Sequence, residues 1–367
     1  MKRKPIKDRC CMNPDCPLHG QFGKGNITKH SYYKTKQGRR RRYVCKVCKK
    51  TFGSTKGTPY YRIQKSRSLF DKVATMAVEG IDISTTARIE NISPATVSHW
   101  RKTASEHAKC FTDKNLKGFD LIELQADEIR TFVNTKKKVI WIFTMIEVWS
   151  RLWVSYVVGR RNYRNVKTVI AETISRGRFN DRFLFTTDGF EPYAWAAKSM
   201  LAFVCVYAQV IKKRRKNRVS QVTRKLILGT TEQLEEALLN SEDSSTINTS
   251  FVERDNLTIR SGNSYLHRKT ASHARDADLL DDSLSLQMCH YNFIRPHLAL
   301  KFGKEIRTPA MQAGIVSKKL TFRDIFTSRE VFFLCLIILA LIQCEIRLNR
   351  RKKLTDCIGW NTLTTLD

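Results

Sequence analysis

The chain has 367 residues, of which 42% are hydrophobic, enough for two or three domains and too many for global disorder. Lys and Arg total 66 against 34 Asp and Glu, a net charge of +32 that repels itself unless a polyanion neutralises it. That balance points to nucleic acid as the partner, with binding that weakens steeply in salt. On charge alone, a merely basic protein such as a ribosomal one is the plain alternative.

Five of the eleven cysteines fall in the first 48 residues. No apolar segment follows Met1-Lys-Arg-Lys-Pro-Ile-Lys, so no secretory signal is expected and the cysteines read as reduced. A cytoplasmic, DNA-associated location without a membrane partner is the matching expectation. Residues 1–57 are rich in Cys, Gly, Lys and Arg and poor in aliphatics, as a small metal-stapled module would be. Cys45-Lys-Val-Cys48 is a CxxC knuckle, and Cys11-Met-Asn-Pro-Asp-Cys16 is a wider partner 28 residues before it. Four thiolates suit one tetrahedral structural Zn2+, and the basic strand Arg39-Arg-Arg-Arg-Tyr-Val fits a zinc ribbon. Cys10 could replace Cys11, and His19 could replace one thiolate. The plain alternative is reduced surface cysteines without metal.

Residues 66–112 carry a helical period, with Phe70, Val73, Ala74, Ala77 and Val78 on one face until Gly80 breaks it. A short helix from Ser84, a turn at Asn91-Ile-Ser93-Pro94 and a third helix over Ala95–Lys102 give a helix-turn-helix rhythm. Thr96, Ser98, His99, Arg101 and Lys102 are its candidate DNA contacts. The bland reading is a packing unit with Val97 and Trp100 inside.

From residue 118 to about 330 the pattern is mixed α/β. Ile122, Leu124 and Ala126 alternate with Glu123, Gln125 and Asp127, which predicts a strand with Asp127 on a polar face. Strands are expected over Val139–Val148, Leu152–Val158, Phe183–Thr187 and Phe203–Ile211, and helices over Asn165–Ser175 and Glu191–Leu201. The basic run Lys212, Lys213, Arg214, Arg215, Lys216 and Arg218 could track a phosphate backbone, or be a solvated loop. A polar stretch, Gly229–Asn248, leads to a helix from Ser250 bearing Glu253. A last long helix carries Leu280, Leu284, Met288 and Tyr291 on one stripe. The apolar run Val331–Ile342, at twelve residues, is too short to span a bilayer. The tail, residues 331–367, has no assigned role.

Asp127, Asp188 and Glu253 are the candidate catalytic residues. Two strand-borne aspartates and a helix-borne glutamate can hold two Mg2+ or Mn2+ ions against a phosphodiester, where carboxylates are the natural hard ligands. Each also has an innocent reading: Asp127 as an exposed strand residue with Glu128 and Glu147 nearby, Asp188-Gly189 as a turn, and Glu253 in a capping box with Ser250. Arg260 and Asn256 share the face of Glu253 and could hold a DNA phosphate.

Phe251-Val-Glu253-Arg-Asp-Asn-Leu-Thr-Ile-Arg260 resembles the glutamate motif of insertion-sequence DDE transposases. Tyr291-Asn-Phe-Ile-Arg-Pro-His297 and Thr308-Pro-Ala-Met-Gln-Ala-Gly314 look like the C-terminal signature of the same group. The resemblance runs from about residue 10 to about 328. It implies a ribonuclease-H-like core shared with retroviral integrases, preceded by a zinc ribbon and a helix-turn-helix that grip terminal inverted repeats. It also implies Asp127, Asp188 and Glu253 as the metal-binding triad, and a dimer or higher oligomer on DNA. Glu147 departs from the pattern, standing where related cores often have Asp. The expected activity is metal-dependent DNA strand cleavage and strand transfer. A transposase-derived DNA-binding regulator with an inactive core and a metal-dependent DNA nuclease are the rival readings.

Overall fold

Strand and helix periods along the chain resolve, in a computed structural model, into two compact units, one built on residues up to Gln64 and one on Lys65–Ile325. Residues 6–35, 38–179, 182–216, 218–241 and 243–328 are described. The run Val331–Ile342 and the rest of the tail lie outside the described residues. Among the described residues, no helix is long and apolar enough to cross a membrane.

The first unit is an antiparallel three-stranded sheet of β1 (Ile27–Thr35), β2 (Gly38–Cys45) and β3 (Thr51–Gly53). Its small core joins Cys10, Cys11, Met12 and Cys16 to Ile27, Tyr43, Cys45 and Phe52. A core that size gains little from apolar burial, so the presence of four cysteines among its eight residues is informative.

The second unit opens with α1 (Arg67–Val78), α2 (Ile83–Glu90) and α3 (Pro94–Asn115). Each start carries a side-chain cap: Ser66, Asp82 and Ser93 accept the N–H three residues on, and Pro94 fills the first turn. Gly80 makes the turn after α1 at φ 77°, where a Cβ would meet the Ser261 carbonyl at 2.8 Å. The third helix runs well past the expected end at Lys102. Its C-terminal half packs on α8 (Ala277–Phe293), with Phe111 edge-to-face on Phe293 at 5.2 Å.

The chain then forms β4 (Phe119–Asp120), β5 (Glu123–Phe132), β6 (Val139–Glu147), β7 (Leu152–Gly159), α4 (Tyr163–Arg176), β8 (Gly177–Arg178), β9 (Phe183–Thr187) and α5 (Glu191–Met200). After these come β10 (Cys205–Arg215), β11 (Arg218–Leu228), α6 (Thr231–Asn240) and α7 (Ser250–Ser261). Six strands make one mixed sheet in the order β11-β10-β9-β5-β6-β7, while β4 and β8 pair apart from it. The β5-β6-β7 meander is antiparallel, β9 joins β5 in parallel, β10 joins β9 in parallel, and β11 returns antiparallel. The crossovers before β9 and β10 carry α4 and α5, as parallel pairing requires.

Two sequence expectations need correction, and the solvated-loop alternative for the basic run falls. Glu123 and Gln125 do not lie on an open polar face: both are buried, Glu123 accepting the Ser241 and Ser244 hydroxyls and Gln125 the Val252 N–H. The polar stretch Gly229–Asn248 contains α6, started by a capping box of Thr230 and Gln233. The basic run is not a loop but the distal part of a β-hairpin, because Arg218–Leu228 pairs back along β10.

Asp255, on the side of α7 that packs inward, is 3% exposed. Neither carboxylate oxygen has a partner in good hydrogen-bond geometry. Burial pushes this carboxyl up to about 7, partly offset by the Tyr291 hydroxyl and Arg295. The folded chain therefore holds a proton here that the unfolded chain releases, so this contribution to stability is full in acid and fades as pH rises towards 7. Between wild type and Asp255→Asn, urea unfolding midpoints should diverge from pH 5 to pH 8 in favour of the variant, at up to about 1.4 kcal/mol per pH unit. Parallel pH profiles would show that the carboxyl is not protonated in the fold.

Candidate functional site

The register between β5 and β9 creates the site. Ala126 lies opposite Thr187 in the parallel pair, so the next residue on each strand, Asp127 and Asp188, emerges side by side. Ligand oxygens of Asp127, Glu128 and Asp188 all lie within 4.8 Å of one another. Asp127 and Asp188 line an open cleft of about 820 Å³, walled by Arg161, Phe190, Pro192, Trp195 and Lys212 and reaching Thr249 and Glu253, while the Glu128 side chain lies buried beside them.

Gathering acids at a half-buried place raises their affinity for protons. Burial, then the charge of Asp188, pushes the Asp127 carboxyl up to about 6, while the Glu128 N–H and Asn256 act against the rise. Glu128 is pushed up to about 7 by burial and Asp188, opposed by Arg161. Arg161 donates to Glu128 at 3.0 Å, stands 3.9 Å from Asp188 and lies over the Phe190 ring at 3.6 Å. One Glu128 oxygen stays buried without a partner. A divalent cation binds oxygens at about 2.0–2.6 Å, so oxygens less than 5 Å apart can share one.

Glu253 reaches the same cleft from α7 but stands outside that acidic trio. Its carboxylate is ion-paired with Lys212 and accepts the Thr249 hydroxyl at 2.7 Å. Asp127 nevertheless feels its charge. The helix is anchored to the sheet by Gln125, whose side-chain oxygen accepts the N–H groups of Phe251 and Val252 at 3.1 and 3.2 Å. That replaces the missing side-chain cap at Thr249, and no capping box with Ser250 forms.

Asn256 needs correction as a DNA contact. It is 7% exposed, donates to Asp127 Oδ2 at 2.9 Å and accepts from the Thr144 hydroxyl at 2.8 Å. Its amide nitrogen is committed to Asp127 and its oxygen to Thr144, and little surface remains for a phosphate. Arg260 is half-buried and donates to the Arg130 carbonyl at 3.2 Å. Glu147 is fully buried and holds the following turn through the Trp149 and Ser150 N–H groups. Its register partner is Leu124, three residues along the strand from Asp127.

Within the helical region, Ser98, His99 and Lys102 are exposed. The Thr96 hydroxyl is engaged with the capping Ser93 at 2.8 Å. Arg101 is the second correction: its guanidinium turns inward, donating to the Ile81 carbonyl at 2.7 Å and the Thr86 hydroxyl at 2.8 Å. In the basic run, Lys213 and Arg215 are exposed, Lys212 is taken by Glu253, and the side chain of Arg214 lies outside the described residues.

In the first unit the sulfurs of Cys11, Cys16, Cys45 and Cys48 lie within 4.8 Å of one another, and neither Cys10 nor His19 belongs to the group. Cys11 and Cys48 are 3.5 Å apart, and Cys16 and Cys45 are 3.9 Å apart. A tetrahedron of about 2.3 Å zinc–sulfur bonds has edges of roughly 3.8 Å, so the donor set fits zinc. Burial raises the Cys11 and Cys16 thiols; it acts the same way on Cys48, but the Lys50 N–H and the neighbouring thiols bring that one down to about 7. The Asn26 amide donates to Cys45 at 3.4 Å, support of the kind that steadies a thiolate ligand.

Sequence reasoning named Glu128 only as a rival acid and missed Arg161 and Gln125. Arg161 follows the end of β7 in an ordinary basic doublet, which carries no signal. For Gln125 the signal was its two-residue spacing from Asp127 on the same strand face.

No protein-family model matches the chain, and no curated protein does. Among solved structures it is similar to piggyBac transposase in a synaptic complex with hairpin DNA, at 10% identity over 73% of this chain and 72% of that chain. The TM-score is 0.31, a distant likeness that assigns neither activity nor site residues.

Two outcomes are expected from this geometry. Asn256→Ala should weaken Mn2+ binding, followed by calorimetry, about 10–100-fold, as loss of a ligand-orienting partner does; unchanged affinity would free Asp127 from this support. Cys45→Ser should lower the zinc content of the purified chain and its thermal midpoint, with metal analysis as the check.

Proposed function

We propose that this chain is a DNA strand-transferase of the DDE transposase type, cutting and joining DNA with divalent cations bound by Asp127, Asp188 and Glu253. The observation that carries the reading is the meeting of Asp127 and Asp188 at adjacent strand positions, in an open cleft of a chain with net charge +32. The sheet order supports a ribonuclease-H-like core: an antiparallel meander whose first strand receives two parallel strands at its open edge. The chemistry of the acids fits Mg2+ or Mn2+, and the four thiols fit one structural Zn2+. Bound divalent ions would neutralise phosphate charge and favour hydroxide over water at the scissile bond.

The chain's own residues divide the remaining work. Asn256 holds the Asp127 carboxylate and is itself held by the Thr144 hydroxyl. The Asp188 carboxylate also caps the following turn through the Phe190 N–H at 2.9 Å, which limits its rotation. Lys212 balances Glu253 and sits where a phosphate would arrive. Exposed Ser98, His99 and Lys102 at α3 are the DNA contacts retained for end recognition, and Lys213, Arg215 and Arg260 add backbone contacts. Association into a dimer or higher oligomer follows if two ends are paired.

One observation favours a second reading. The Glu253 carboxylate is held by Lys212, outside the acidic trio, as it would be in a DNA-binding regulator whose core no longer cuts.

One assay separates them. The wild-type chain is incubated with labelled duplexes from the DNA flanking its gene and Mg2+ or Mn2+, beside Asp188→Asn, Glu253→Gln and Glu128→Gln. Strand transferase activity predicts nicking and joining that both Asp188→Asn and Glu253→Gln abolish and Glu128→Gln reduces less. Binding without nicking in wild type supports the regulator, nicking without joining a nuclease, and full activity in Asp188→Asn removes that residue from the mechanism.

A further inference from the structure

The hairpin of β10 and β11 departs from the rest of the sheet. Strand β9 pairs with β10 only as far as Gln209. Beyond that point β10 has β11 as its partner, from Val210 opposite Arg224 to Arg215 opposite Arg218. Six residues of β10 therefore have only β11 as a strand partner; Val210 is buried against Ile247 and Lys212 is paired with Glu253, so the free two-stranded ribbon starts at Lys213 and its β10 side is roughly 10 Å long at about 3.4 Å per residue. Residues Arg218–Lys225 of β11 are all exposed, including the apolar Val219 and Val222.

Between Lys212 and Lys225 the sequence has eight Lys or Arg and no Asp or Glu. Arg215 and Arg218 sit directly opposite one another, a pairing that destabilises an isolated hairpin. Two-stranded ribbons are marginal in water even without such repulsion. A ribbon of this charge gains most where a polyanion surrounds it.

From this we infer that the distal β10–β11 ribbon inserts into the major groove of duplex DNA, its cations contacting phosphates on both walls, while its base delivers that duplex to the acidic cleft. The dimensions fit. Two strands about 4.8 Å apart, with their side chains, match a groove about 12 Å wide and 8.5 Å deep, which admits a two-stranded ribbon. A-form RNA offers no equivalent, because its major groove is narrow and deep. The base of the ribbon adjoins the site directly: Ile211 and Lys212 line the cleft that holds Asp127 and Asp188. Of the other cations, Arg224 is partly engaged with the Ile247 carbonyl at 2.7 Å, while Lys213, Arg215, Lys216, Arg218 and Lys225 are exposed, and Lys213, Arg215 and Arg218 are the outer contacts chosen for the test. The inference rests on the DNA-directed reading above and extends it to a groove and an element.

The test uses the full chain without divalent cations, so that binding is scored apart from cutting. Affinity for a duplex of about 30 base pairs is measured against salt for wild type, for Lys213→Ala/Arg215→Ala/Arg218→Ala, and for a control triple, Lys136→Ala/Lys137→Ala/Lys138→Ala, in the exposed turn after β5. The ribbon variant should lower the salt slope by about 0.9 for each phosphate it no longer neutralises, towards three such phosphates, and the control should not. Equal slopes in both triples would overturn the inference. A second measurement keeps the native charges: Gln221→Cys should form a disulfide with DNA carrying a thiol tether in the major groove, and not with a minor-groove tether or duplex RNA. Cross-linking that ignores the groove, or its absence from DNA, would also overturn it. If the wild-type chain cuts no DNA, the strand-transferase reading fails while these binding results still decide the ribbon.

Discussion

The parallel register of β5 against β9 is the constraint on which the site depends. Asp127 and Asp188 are 61 positions apart in sequence, and only the pairing of Ala126 with Thr187 makes them neighbours. Two carboxylates brought together this way repel, and burial makes the repulsion costlier. The rise of Asp127 to about 6 and Glu128 to about 7 comes first from burial and then from the charge of Asp188. The fully buried β9 can sustain that cost, because its side chains are packed on both faces and a shifted register would disrupt both layers of packing.

Around that pair the structure invests its buried polar groups. Gln125 caps the start of α7, and Asn256 on α7 returns to hold Asp127. Strand, helix and carboxylate thus form a closed set of hydrogen bonds, in which each member fixes the geometry of the next. Glu253 sits one turn before Asn256 on the same helix, so the anchoring that orients Asn256 also fixes where Glu253 meets the cleft. Lys212, from the base of the β10–β11 hairpin, links that helix to the basic ribbon.

The thiol cluster solves a different problem. A unit whose core contains four close sulfurs and few aliphatic side chains has little apolar area to offset chain entropy. Metal coordination, where it occurs, supplies folding free energy directly. The acidic site in the larger unit has an extensive apolar core beneath it and can spend stability on charge.

The sequence by itself determined the element types around the site and the identities of the groups with chemistry. Alternation at period two marked β5, and short β-rich or apolar runs marked β6, β7 and β9; Ser93-Pro94 marked the start of α3; paired cysteines, one pair at CxxC spacing, marked the thiol cluster. These are local signals, set by neighbours a few residues away. The tertiary structure alone decided which acids share a pocket, because strand register and helix rotation are fixed by contacts distant in sequence. It brought Glu128 into the cluster, buried Glu147 beneath a turn, turned Arg101 inward and committed Asn256 to Asp127. It also made a hairpin of a basic run whose strand character was not legible, since a strand so rich in charge carries no apolar alternation to announce its pairing.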